Sequence, residues 1–225
     1  MRFAFRLALL AIAPLAAAPA VACTVEDGYR VPTNLELVER ADTILLGVVE
    51  NGPDEIEGLD DARLIIRPTL LLKGDALPPE LRLFGSIAPK RYSVLSDPDE
   101  LEQAHPLAYI GGCVPYMFVP GSTVLLFLPR HLGRLVPMFE PFARSAEDVP
   151  SPDSRWVRAV RLYVEVAALP EADRRPALLA RQAELRPPTA DPDAQAIADD
   201  IDRQLRGPNR RWNAIMEEEI GRMGR

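Results

Sequence analysis

Two cysteines, Cys23 and Cys113, and two histidines, His105 and His131, are the side chains here with the widest chemical reach. In an exported protein the two thiols would pair, because oxidising compartments do not keep them free. The bond would close a loop of 90 residues, from 23 to 113. In the chain-entropy account such a closure is worth about 4–5 kcal/mol. A lipid attached to Cys23 is the competing fate, and it excludes the disulfide. The four residues together have the arithmetic of a zinc site, but pairing of the thiols removes two of its ligands. His105 and His131 belong to no two-histidine helical motif and no nucleophile triad, so both read as surface or loop histidines. Ser86, Ser93, Ser96 and Ser122 stand without a paired base or a glycine elbow, and Gly111-Gly112 opens no phosphate-binding helix. The expectation is therefore a protein that is not an enzyme and uses no metal or cofactor.

The compartment follows from the first 22 residues. Arg2 and Arg6 give a basic start, Leu7 to Ala22 is an apolar run, and Ala20 and Ala22 place small residues three and one before Cys23. That is the pattern of a cleaved secretory signal over 1–22, too short for a bilayer span of about 20 apolar residues. The product would be secreted or periplasmic. The cysteine at the cleavage point also permits a membrane-anchored lipoprotein, although Ala20 stands where lipoprotein signals prefer Leu, Val or Ile.

Removing Arg2 and Arg6 with the leader takes the formal charge from −7 to −9, and Lys73 and Lys90 are the only lysines. No basic stripe remains, which argues against nucleic acid as a partner. Membrane contact is expected only if Cys23 carries lipid.

The elements that would position Cys23 and Cys113 are strands, and residues 23–142 read as one β domain. Thr43–Glu50 is a β-rich run closed by Asn51-Gly52-Pro53. Arg63–Leu72 is a second, closed by Lys73-Gly74-Asp75, with Pro68 marking a bulge or a sheet edge. Glu80–Phe84 alternates with period two, Ser122–Leu128 is the most apolar run, and Arg134–Phe139 can return beside it. Five or six short strands suggest a small barrel. Between the third strand and Cys113, Asp97-Pro98-Asp99-Glu100 carries the signature of a capped helix start and predicts one short helix.

These residues, taken in order, resemble a known family. A mature start at Cys23-Thr24, a strand Ala41-Asp42-Thr43-Ile44-Leu45-Leu46-Gly47, a strand ending Leu72-Lys73-Gly74, and Gly112-Cys113 with Phe118-Val119-Pro120-Gly121 before an apolar strand are similar to tissue inhibitor of metalloproteinases and netrin-like modules. The resemblance covers the N-terminal half. It implies an OB-type five-stranded barrel with Cys23 tied to the barrel by a disulfide. In the animal inhibitors it also implies a wedge that enters a protease active site. Where those inhibitors continue Cys-Thr-Cys, this chain has Val25.

The wedge has a chemistry of its own. An α-amino group titrates near about 7.7–8.0, so part of it is a free amine at neutral pH and can ligate zinc. The amine nitrogen and carbonyl oxygen of Cys23 would replace the water on a catalytic zinc, with Thr24 in the adjoining specificity pocket. A Cys23–Cys113 bond would hold that shape beforehand.

Beyond Pro141 the composition changes. Residues 143–154 read as a polar, proline-containing linker, and 155–225 as a helical region. Trp156, Val160, Tyr163, Val164 and Ala167 mark one helix, capped by Ser151 or Asp153, and Leu178, Leu179, Gln182 and Leu185 a second. Ile197, Ile201 and Leu205 mark a third after the Asp191-Pro192 cap, and Trp212, Ile215, Met216 and Met223 a fourth. Asp191 and Asp193 are explained by capping, Asp199, Asp200 and Asp202 by a solvated face, and the two tryptophans as core anchors. The fold class expected is α+β, a small OB-like antiparallel β-barrel followed by a C-terminal helical bundle packed on it. The function expected is binding of a protein partner, in its sharpest form inhibition of a zinc metalloprotease through Cys23 and Thr24. The alternative is a structural or interaction protein of the cell envelope.

Overall fold

A computed structural model describes residues 25–54, 63–88, 95–109, 116–138, 140–187 and 191–223. The elements run α1 (Asn34–Arg40), β1 (Thr43–Asn51), β2 (Arg63–Lys73), β3 (Leu81–Phe84), β4 (Ser86–Ile87), β5 (Met117–Phe118), β6 (Thr123–Leu128), β7 (Arg130–His131), β8 (Arg134–Leu135) and β9 (Ala146–Asp148), then α2 (Arg155–Ala167), α3 (Glu171–Leu185), α4 (Pro192–Arg206) and α5 (Trp212–Met223). The class is α+β. A curled antiparallel sheet in the order β3-β2-β1-β6-β9 forms an OB-like half-barrel, and helices cover one of its faces.

β1 is the central strand, and its sequence explains its place. An apolar run lets it be buried on both faces. Ile44 and Leu46 face the helices together with Leu125 and Phe127 of β6, while Leu45 and Val49 face the inside of the half-barrel with Leu64, Ile66, Leu83, Val124 and Leu126. Gly47 sits where β2 crosses most closely. A Cβ there would lie 2.5 Å from Ile66 Cγ2 and 3.2 Å from the Arg67 carbonyl oxygen. The β1–β2 register slips at this point, between the pairs Leu46↔Leu70 and Gly47↔Pro68. β3 pairs only with residues 63–66 of β2, so the missing N–H of Pro68 falls beyond its reach.

α1 was not expected, yet its signal is present. Thr33 and Glu36 form a capping box in which each side chain satisfies the other's backbone N–H. Leu37 and Val38 then turn into the core, and Lys73 Nζ donates to the Val38 carbonyl oxygen at 2.7 Å, fastening α1 to β2.

Two expectations are corrected. Residues 143–154 are no free linker, since β9 lies within them, pairs with β6 and completes the sheet, and Arg144 and Glu147 are buried. Their charges made the stretch read as polar, but each finds a partner inside. Asp97–Glu100 forms a turn rather than a helix. The Asp97 carboxylate accepts the Asp99 N–H at 2.9 Å and that of Glu100 accepts those of Leu101 and Glu102. Pro106 follows too soon for a helix to propagate, leaving one 3-10 turn over Pro106–Tyr109. Residues 134–135 pair with β7 in a hairpin turned by Leu132 and Gly133, both at positive φ, and the segment then returns beside the end of β6 as expected, the Met138 N–H bonding to the Phe127 carbonyl at 3.1 Å, while β9 takes residues 124–126 of that edge.

The four C-terminal helices form where their spacing predicts, although the N-cap of α2 is Ser154, without a side-chain cap bond, rather than Ser151 or Asp153, and Leu179 is exposed. α2 buries Trp156, Val160 and Tyr163, and also Val157, Ala159 and Val166, because it lies between the sheet and α3 and α4. Asp191 caps α4 through the Asp193 N–H, and Pro192 opens it. Among the described residues no helix is long and apolar enough to cross a membrane.

Gly47→Ala should destabilise the protein by about 1–3 kcal/mol through overpacking against Ile66 and the backbone of β2. Urea unfolding should show this as a lower midpoint at unchanged slope.

Candidate functional site

Cys23, Thr24 and Cys113 lie outside the described residues. The chain is described from Val25 on, and it is tied down from Tyr29. Tyr29 donates its hydroxyl to the Pro141 carbonyl oxygen at 2.7 Å and lies 3.3 Å from Glu140 Oε2, and Glu140 pairs with Arg40 at 3.0 Å. The Tyr29 carbonyl accepts the Trp212 N–H at 2.8 Å, Arg30 bridges to Arg211, and Asn209 donates to the Val31 carbonyl. Burial, then the neighbouring Glu140, pushes the Tyr29 hydroxyl well above its ordinary range, so it stays a donor. The Arg30 guanidinium grips Glu36 through both oxygens, at 2.8 and 2.6 Å. Burial raises the Glu36 pKa, but Arg30 and the Thr33 N–H outweigh it and hold the carboxyl below its usual range. Residues 29–31 are thus fastened to α1, the 140–141 turn and the segment that opens α5. Val25, Tyr29, Arg30, Arg40 and Glu140 line a depression of about 510 Å³ there.

A second concavity, about 420 Å³, opens next to the clamp, between α1, α4, α5 and the turns around residues 101–109 and 142–144. Its aromatic wall is Phe142 stacked on Trp212, centroids 3.8 Å apart and planes 9° from parallel, with Tyr109 5.8 Å away on the other side. Phe142 holds φ +62°, a left-handed conformation costly for a bulky residue. Its N–H bonds to the Ala108 carbonyl and that of Ala143 to Glu140. Trp212 is therefore half-buried at a cavity wall rather than a core anchor, whereas Trp156 is a core residue.

Asp200 stands at the base of this cavity. The solvated face expected for it is wrong, since its carboxylate is fully buried. Oδ2 accepts from the Tyr163 hydroxyl at 2.5 Å and Asn34 Nδ2 at 3.0 Å, and Oδ1 from Arg203 at 2.9 Å and Gln204 Nε2 at 3.2 Å. Burial, then the charge of Asp200, drives the Tyr163 pKa far up, which keeps its proton on the bond. The signal was in the helical period, because 200 falls between 197 and 201 on the stripe that points inward.

A third cluster is buried where the 95–109 segment meets β9. His105 is fully buried, not a surface histidine, while His131 is exposed in β7. His105 Nδ1 accepts the Leu107 N–H at 3.0 Å, so the proton sits on Nε2, which faces Asp148 Oδ1 at 3.4 Å. The same Asp148 oxygen accepts the N–H and hydroxyl of Ser96, and Glu147 accepts the His105 N–H at 2.8 Å. Burial raises the Glu147 pKa, and Arg144, 3.4 Å away, opposes it. Ser96 spends its hydroxyl on Asp148, so the cluster works as a fastener of the 95–109 segment to the sheet. Tyr116, pushed up to about 12 by burial, and Phe118 pack edge-on to the imidazole. Among the described residues no group of three or more His, Cys, Asp or Glu is placed to hold a metal ion.

Comparison of the chain with known protein-family models, curated proteins and solved structures finds no match.

Tyr163→Phe should remove one hydrogen bond to a buried charge without opening space, at about 1.5–3 kcal/mol in urea unfolding. Glu36→Gln should cost stability at neutral pH by losing the charge paired with Arg30. Because the folded Glu36 pKa is lowered, that stabilisation is complete above the unfolded value of about 4.3 and is lost as pH falls through the folded one. The gap between the melting temperatures of wild type and Glu36→Gln should therefore narrow below about pH 4.

Proposed function

We propose that this is an exported binding protein without enzymatic activity, and that its working part is the mature N-terminus at Cys23, directed at the catalytic zinc of a metalloprotease. The observation that supports this reading is the fastening of residues 29–31. A terminus that is to enter an active site gains from being held beforehand, because less ordering remains to be done on binding. Thr24 is five residues from Tyr29, a reach of at most about 17 Å, so the terminus stays close to the point where Tyr29 is fastened. The OB-like half-barrel agrees with the inhibitor resemblance and supports the reading further. In it the Cys23 amine and carbonyl take the place of the zinc-bound water, Thr24 occupies the neighbouring pocket, and a Cys23–Cys113 disulfide holds the head of the chain.

The test compares protein beginning at Cys23 with protein carrying one extra alanine before it, against a zinc endopeptidase such as thermolysin. The mature form should inhibit more strongly as pH rises through about 7.7–8.0, where the amine loses its proton, and the extended form should lose at least about tenfold in affinity. Equal inhibition by both forms would remove the amine from the mechanism. The intact mass should be two hydrogens below the reduced value, whereas an acylated Cys23 would exclude the scheme and make the protein an anchored lipoprotein.

A further inference from the structure

The chain is acidic, with a formal charge of −7, yet three of its arginines, Arg144, Arg203 and Arg210, converge on the cavity beside α5. Each has an acidic partner, Glu147 for Arg144, Asp200 for Arg203 and Glu218 for Arg210, but the pairs of Arg203 with Glu102 and of Arg210 with Glu218 reach the surface. Asp200 is fully buried and spends its oxygens on Tyr163, Asn34, Arg203 and Gln204. Glu102, 70 % exposed, reaches Arg203 only at 3.7 Å, and Arg210 is paired with Glu218 at the surface. Ion pairs so exposed are weak and are exchanged readily for another anion.

Arg144 is 3 % exposed. Its Nη atoms bond to the Glu100 carbonyl and to Glu147, and its guanidinium lies 4.9 Å from the Trp156 ring centre, but its Nε–H has no partner among the described residues. A buried donor left unmatched in a native fold calls for an explanation, and a ligand oxygen is one. Opposite the arginines stand the stacked Phe142 and Trp212 and the half-exposed Tyr109, which leave aromatic surface open to the cavity. The left-handed Phe142 backbone sets that wall, and strain of this kind concentrates where a ligand is held. An aromatic wall facing a lining that is otherwise rich in polar groups, around a volume near 420 Å³, is of a size to hold a small amphiphilic molecule.

We infer that this cavity binds a small organic carboxylate with an aromatic body, the ring against Tyr109, Phe142 and Trp212 and the carboxylate toward Arg203 and Arg210. Its occupation needs no protease.

The chain supplies its own reporter. Of its two tryptophans, Trp156 is in the core and Trp212 is in the cavity wall. 4-Phenylbutyrate and the uncharged 4-phenylbutanol, titrated into the mature protein, are followed by tryptophan emission and by calorimetry. The acid should bind saturably with a dissociation constant on the order of 1 mM and the alcohol at least about tenfold more weakly. Arg210→Gln, a surface change, should weaken the acid about three- to tenfold and leave the alcohol unaltered. Trp212→Phe should abolish the emission change while calorimetry still detects binding. Absence of saturable binding, equal affinity for acid and alcohol, or an acid affinity untouched by Arg210→Gln would each overturn the inference.

Discussion

A central strand that is apolar on both faces must be covered on both, and this requirement on β1 governs the rest of the molecule. Leu45 and Val49 need the curl of the sheet to close over them, while Ile44 and Leu46 need helices. A half-barrel alone would leave the second set in water. α1 and α2 supply that cover, and α3 and α4 in turn cover α2, so the helical part is the second layer of one fold. Gly47 allows it by letting β2 approach where a side chain would collide.

Charge is used inside this fold to decide how segments join. Asp200 ties α4 to α1 through Asn34 and to α2 through Tyr163. Glu147 and Asp148 of β9 receive His105 and Ser96 and so fix the long segment that precedes β5. Apolar contacts alone would tolerate small slips of one helix over another, whereas a buried carboxylate with several donors has few satisfactory arrangements. Burying it is costly unless every oxygen is met, and that is the state of Asp200.

The N-terminal clamp and the aromatic cavity are neighbours because they share supports. Trp212 binds the Tyr29 carbonyl through its backbone and walls the cavity with its ring, and the 140–142 turn accepts the Tyr29 hydroxyl on one side and presents Phe142 on the other. Both attachments of Trp212 thus lie at the first residue of α5.

By itself the sequence determined, to within a residue at each end, the strands read at 43–50, 63–72, 80–84 and 122–128, and also the four C-terminal helices, because apolar period and caps are local properties. The α1 helix was also legible, in Thr33 and Glu36, though it takes only seven residues. Tertiary structure decided where polarity goes. Composition marks 143–154 as a linker and Asp199–Asp202 as a wet face, since a charged residue reads as exposed until its partners are known. Those partners are distant in the chain: Asn34 lies 166 residues from Asp200, and His105 lies 42 from Glu147. Only folding brings them together. For the same reason the cavity that gathers Arg144, Arg203, Arg210, Phe142 and Trp212 is invisible to any local reading, while the apolar run that ends at Cys23, being contiguous, could be read at once.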